Sequence, residues 1–264
     1  LLDVNSNVAK QQIEQMYYRY LAVLEPLFEE NIFTILNRQY TLAALTAEIG
    51  QYDIEYDIDK EGDEMVSLFD QRNIAAAAIF LKVILDALKR RGLDLEDLSP
   101  TQQATFTASF WLEMKSWSLK HAANHVTKVN ATTKSVINRI INRGLEEGWT
   151  NQEIATKIKR IGAISNSHRA KKIARTETHT ASNHSLIHSM LQYQHNSNTE
   201  WLKEWFATKD DRTRIPHRLA DGEKKELNDF FIRTGEPMMY PGDPRGSAWN
   251  IVYCRCVTLF RRKK

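Results

Sequence analysis

At 264 residues and 42% hydrophobic content, the chain is long enough to bury a core and too apolar to be disordered throughout. No apolar run reaches the roughly 18 residues of a membrane-spanning helix, and Leu1 to Asn7 lacks the basic-then-apolar order of a secretory leader. The net charge of +3 hides an asymmetry: residues 1–100 hold 9 Lys and Arg against 18 Asp and Glu, whereas residues 101–264 hold 27 against 15. An acidic beginning and a basic body point either to two kinds of neighbour or to two ordinary solvated surfaces. The two cysteines, Cys254 and Cys256, are separated only by Arg255. A disulfide between them would close a small strained ring, so reduced thiols or metal ligands, and a cytosolic origin, are expected.

In chain order, Asn5 to about Asn37 has helical apolar spacing (Ile13, Met16, Tyr17, Tyr20, Leu21, Leu24), with Pro26 expected to kink or divide it. Thr41 to Ile49 reads as a second short helix. Asp53 to Glu64 reads as an acidic loop. Its acids at Asp53, Glu55, Asp57, Asp59, Glu61 and Glu64 mimic a calcium loop, but Ile58 stands where the sharp turn needs glycine, which favours a merely solvated loop. A helix from about Glu64 to Arg91 ends at Gly92. Ser99-Pro100-Thr101-Gln102 is a helix start, with Phe106, Phe110, Trp111, Met114 and Trp117 as a core stripe behind it. Asn130 to Gly144 follows. Thr150 to Glu153 is a capping box for a short helix over Ile154–Ile161, and Ser165 or Asn166 is expected to cap a long last helix, His168 to about Tyr193.

From Thr199 onward the composition changes to prolines, glycines and short apolar alternations. Trp201 to Ala207 and Ile251 to Phe260 read as strands, with Lys224 to Arg233 as a helix between them. The fold class expected is mainly α with a small C-terminal α+β module. Its divisions are an acidic helical region over 1–98, a basic helical region over 99–195 and the module over 196–264.

Two histidine pairs, His121/His125 and His184/His188, have the spacing of one helix face but lack the glutamate of a zinc-protease motif, and read as surface positions. Ten basic residues (Lys120, Lys128, Lys134, Arg139, Arg143, Lys157, Lys159, Arg160, Lys171 and Lys172) interleave the helical stretch, and Arg261 to Lys264 adds a basic tail. These face packaged double-stranded DNA without reading its sequence, or they simply solvate the helices.

Four pieces stand in a fixed order: Ala174-Arg175-Thr176-Glu177-Thr178; Trp205 to His217, continuing to Gly222; Tyr240-Pro241-Gly242-Asp243-Pro244; and Cys254-Arg255-Cys256. Together with Gly144 to Thr150 they resemble the C-terminal module of the phage Mu F-like head morphogenesis family, over about Ile137 to Leu259. The resemblance implies a virion protein: a minor head component acting at the portal, with a part in DNA packaging or ejection. The partners implied are portal protein and major capsid or scaffolding protein. The acidic helices would do the docking, and no membrane is involved. Many relatives have cysteines at the positions of Arg214 and His217, and an asparagine where Tyr253 stands.

If such relatives bind a metal, this chain retains His217, Cys254 and Cys256, with Asp243 a conceivable fourth. On a strand the two thiols would share one face, and with His217 they would make a structural zinc site. The plainer alternative is a pair of buried thiols. Arg175, Glu177, Asp211, Arg212, Arg214, His217 and Asp243 form a polar set. It reads as a structural network built on an arginine–carboxylate pair rather than as a catalytic site. The rival functions are an enzyme or toxin-like effector using Arg175, Glu177, Asp211 and His217, and a sequence-independent DNA-binding protein.

Overall fold

The computed structural model describes residues 7–197 and 199–263. Most of the opening Leu1–Asn7 stretch and the last lysine of the basic tail lie outside the described residues. The order is α1 (Asn7–Glu48), α2 (Glu55–Lys89), a short 3-10 turn (Leu95–Asp97), α3 (Pro100–Glu146), α4 (Asn151–Asn196), β1 (Trp201–Phe206), α5 (Ile215–Ala220), β2 (Lys224–Glu226), α6 (Ala248–Ile251) and β3 (Val257–Arg262). The mainly helical class with a small sheet-containing end is therefore what the chain adopts. Its contacts divide it into two units: Leu1–Leu24 with Asn73–Ser116 and Arg175–Lys264, and Glu25–Arg72 with Trp117–Ala174.

Several expected breaks are not there. Pro26 stands inside α1, and Thr41 begins no second helix. Residues Phe28, Ile32, Ile35 and Leu36, then Tyr40, Ala43, Ala44 and Ala47, bury one continuous stripe, so the helix runs on through the hydrogen bond Pro26 cannot make. The acidic loop is not a loop either, since α2 begins at Glu55. Ile54, Ile58, Met65 and Phe69 recur at helical spacing and are buried, which turns the acids outward. Asp59 meets Lys134 at 3.0 Å, and Glu61 and Glu64 both take Arg38. The side chain of Asp57 lies outside the described residues. Neither Ser165 nor Asn166 caps a helix: the Ser165 hydroxyl donates to the Ile161 carbonyl at 2.8 Å, and the Asn166 amide to Asn37 at 2.9 Å, both within an unbroken α4.

The two capping boxes do form. Ser99 N–H donates to Gln102 Oε1 at 2.9 Å and Gln102 N–H to Ser99 Oγ at 3.3 Å. Thr150 N–H donates to Glu153 at 2.8 Å and Glu153 N–H to Thr150 Oγ1 at 3.2 Å.

In the unit holding Trp117–Ala174, two clusters fill the core, one around Phe28, Phe69, Val126 and Ala170, the other around Tyr40, Ile58, Ile141 and Ile158. Between them Gln39 Nε2 donates to Asn130 Oδ1 at 2.9 Å, and Asn130 Nδ2 to the Ile58 carbonyl at 3.2 Å.

In the other unit the sheet has the order β2-β1-β3, all antiparallel, with Trp205 opposite Thr258 and Lys203 opposite both Phe260 and Lys225. The helix expected over Lys224–Arg233 is replaced by β2 and a turn, because Lys224, Lys225 and Glu226 pair their backbone with β1. The strand expected over Ile251–Phe260 starts only at Val257, because α6 and a turn through Tyr253, at φ 57°, precede it. Tyr17, Phe80, Phe106, Leu186, Met190, Trp201 and Phe260 share this unit's main core.

Gly162 sits mid-helix in α4, where an added Cβ would come 2.8 Å from Cβ and Cγ of Tyr40. Gly162→Ala gains about 1 kcal/mol of helix propensity but overpacks by roughly 1–3 kcal/mol. We expect a lower urea midpoint with an unchanged slope. A midpoint at or above that of the parent would mean that Tyr40 yields freely.

Candidate metal centre

The Cys254-Arg255-Cys256 segment belongs to no helix or strand and lies between the turn at Tyr253 and β3. Its alternation sends both thiols inward and Arg255 outward. Three sets of contacts hold it so. Cys254 N–H donates to the Ile251 carbonyl at 3.0 Å. The Arg255 carbonyl accepts from the Tyr18 hydroxyl at 2.5 Å and from Thr208 at 3.0 Å. The Arg255 guanidinium grips Asp210 with two bonds, of 2.6 and 2.5 Å. That forked pair holds the Asp210 carboxyl well below the usual range.

His217 lies on α5, opened by Pro216 in its first turn. Its Nδ1 stands 3.4 Å from Cys256 Sγ and 3.7 Å from Cys254 Sγ. All three side chains are buried, at 1%, 3% and 1% exposure for His217, Cys254 and Cys256. Both cysteines are free. Around them pack Trp205, Ala207, Ala220, Phe231 and Met238. Burial raises the Cys254 thiol, but its polar neighbours Cys256, His179 and His217 outweigh it and bring it down. Cys256 is pushed up by burial and by its neighbour.

The rest of the polar set scatters. Asp243 is no fourth ligand: buried, it accepts Met239 N–H at 2.6 Å and grips Arg245 at 2.8 Å. Arg214 donates to the Val252 carbonyl and lies over the Trp249 ring. Arg212 and Asp211 are exposed, with the Asp211 carbonyl accepting from Arg218 at 2.8 Å. Arg175 lies over Tyr253 at 5.9 Å, and Glu177 is buried. The exposure of Asp211 and the burial of His217 give the proposed acid–base set no shared cleft. Arginine–carboxylate units do form, but they are Arg255 with Asp210 and Arg245 with Asp243.

The histidine pairs are not surface positions. His121 and His184 are buried, and His184 Nδ1 lies 3.0 Å from the Tyr240 hydroxyl. Of the ten basic candidates, nine are exposed and Lys134 is half-buried against Asp59; Lys159 meets Glu48 at 2.8 Å and Arg143 meets Glu147 at 2.8 Å.

Residues 135–259 match the family described as Phage Mu protein F like protein. No curated protein matches the chain, and no solved structure does. The Mu F-like match agrees with the resemblance read over Ile137–Leu259. It takes in His217, both cysteines and Tyr253. Lys120, Lys128 and Lys134 precede it. Tyr253, where the resemblance implies an asparagine, has φ 57°, a region that Asn enters more easily than most residues.

A second buried ion was not foreseen from the sequence. Lys203 on β1 is fully buried, its Nζ donating to the Met239 carbonyl at 2.8 Å and lying 5.0 Å from the Phe231 ring centre. Burial lowers it to about 7, with Asp243 opposing. The unfolded chain then binds more protons than the folded one from about pH 7 up to the ordinary lysine value, so stability rises with pH across that window. Lys203→Met should flatten the rise, and its stability advantage at pH 7 should shrink toward pH 10. Equal pH slopes for the two chains in chemical denaturation would contradict this.

Proposed function

We propose that this protein is a minor component of a phage head that acts in head morphogenesis at the portal vertex, with its basic helical surface beside packaged DNA. The observation that carries the reading is the Mu F-like match over residues 135–259. The charge distribution supports it. Exposed Lys128, Arg139, Lys157, Arg160, Lys171 and Lys172 give α3 and α4 a surface suited to phosphate without base recognition. The acidic stretch of α1 and α2 suits a protein partner instead. Among the described residues no helix is long and apolar enough to cross a membrane. The role is that of a structural part rather than an enzyme.

Co-expression of the chain with the portal, scaffolding and major capsid proteins of one phage tests the first half. We expect the chain to co-sediment with portal protein and to be found in assembled heads. A monomer that ignores all three would overturn the reading. For the second half, binding to duplex DNA should weaken with salt, the logarithmic slope reflecting about 0.9 per neutralised phosphate. Replacing Lys128, Arg139, Lys171 and Lys172 by glutamine should reduce both affinity and slope. An unchanged slope would remove these residues from the DNA surface.

A further inference from the structure

We propose that His217, Cys254 and Cys256 bind one zinc ion that pins α5 to the Cys-Arg-Cys segment. The spacing fits the ion. Tetrahedral zinc with a bond of about 2.3 Å to sulfur and about 2.0–2.1 Å to imidazole nitrogen places those two atoms about 3.6 Å apart. The two distances from Nδ1 to sulfur, 3.4 and 3.7 Å, fall on either side of that value. A hydrogen-bonded account is poorer. One Nδ1 lone pair can accept from only one thiol, whereas a cation engages the nitrogen and both sulfurs together.

The imidazole is also held in the state a ligand needs. Asn250 is buried and donates its amide N–H to the Glu236 carboxylate, which lies below the usual carboxylate range through that bond and one from Ser247 N–H at 2.7 Å. With its nitrogen so committed, Asn250 turns Oδ1 to His217 Nε2 at 3.2 Å. The proton therefore sits on Nε2, and the Nδ1 lone pair faces the sulfurs. A carboxylate–amide–imidazole relay of this kind fixes tautomer and ring direction at metal sites.

The sulfur side is prepared as well. The Trp205 indole N–H is buried with no partner of hydrogen-bond geometry, and it bears on Cys256, as does the Thr208 backbone N–H. Donors gathered on a buried sulfur suit a thiolate bound to a cation. Two sulfurs and a nitrogen select zinc over magnesium, calcium or manganese.

The test uses the full chain purified from zinc-supplemented growth, with metal counted by mass spectrometry and cobalt(II) substituted for spectroscopy. We expect one zinc per chain, a thiolate-to-cobalt charge-transfer band, and loss of both in a Cys254→Ser, Cys256→Ser double variant. Because that variant can fail to fold, Asn250→Ala is the second probe. It keeps every ligand and should bind zinc about 10–100-fold more weakly. A folded chain that carries no zinc, shows no cobalt band and melts at one temperature with or without added zinc would overturn the proposal. So would a Cys254–Cys256 disulfide in the freshly isolated chain. None of these readouts depends on head assembly, so failure here leaves the head reading standing.

Discussion

Asn183 is fully buried on α4, and its amide is used on both sides. Its Oδ1 accepts Thr258 N–H at 3.1 Å, and its Nδ2 donates to the Tyr17 hydroxyl at 2.9 Å. Thr258 lies on β3, an edge strand, so this N–H has no strand to receive it and takes a helix side chain instead. The same constraint accounts for the rest of the segment. Three short strands and long irregular connections leave many buried backbone groups without partners. The stretch Thr176–Ser185 supplies partners: Thr176 Oγ1 accepts Tyr253 N–H at 3.3 Å and Thr180 donates to the Gly242 carbonyl at 2.9 Å, while Ser185 donates to the Ala77 carbonyl of α2 at 3.1 Å. All ten residues of that stretch are buried although nine of them are polar. The module's irregular backbone is thus folded onto a helix that acts as a row of hydrogen-bond partners.

The buried charges of β1 follow from the same economy of partners. Lys203 and Glu204 are neighbours in sequence and so face opposite sides of the sheet. Glu204 receives Lys10 at 2.6 Å and Arg261. Burial alone would raise it, yet these two cations hold it below the ordinary value. Its charge is therefore compensated, and the compensation ties the start of α1 to β1 and β3. Lys203 has a carbonyl and a ring instead of a carboxylate, because Asp243, the nearby acid, is already gripped by Arg245. One buried ion is thus well matched and its neighbour poorly matched, which is why only Lys203 is driven toward neutrality.

What could be read from the sequence was what is local. The boxes at Ser99–Gln102 and Thr150–Glu153 are built from residues three apart and form as their spacing implies. Helix continuity is not local. Ser165, Asn166 and the acids of Asp53–Glu64 have the composition of breaks, and buried stripes on the same helices override it. Lys224–Glu226 looks helical by composition and becomes a strand through backbone pairing with β1, which no side chain announces. At the candidate metal centre the ligand types and the two-residue spacing were readable. Glu236, Asn250 and Trp205 were not, although Asn250, four residues before Cys254, is a polar residue in an otherwise apolar turn. Within the polar run on α4 it is His184, read as a surface position, whose burial composition hides, since hydrophilic residues ordinarily mark a solvated face.

Two positions depart from what the resemblance implies, Arg214 and Tyr253. Arg214 stands where the resemblance implies a cysteine. It reaches the Val252 carbonyl and covers Trp249, tying α5 to the turn that leads into Cys254 by a charged hydrogen bond rather than through a thiolate. Tyr253 holds a left-handed conformation that costs a residue other than Gly or Asn about 1–2 kcal/mol. Arg175 over its ring contributes about 0.5–1 kcal/mol in return, and Thr176 receives its N–H. The turn is specified by where its N–H and C=O groups end: Tyr253 N–H ends on Thr176 of α4, the Val252 carbonyl on Arg214, and Cys254 N–H on the Ile251 carbonyl.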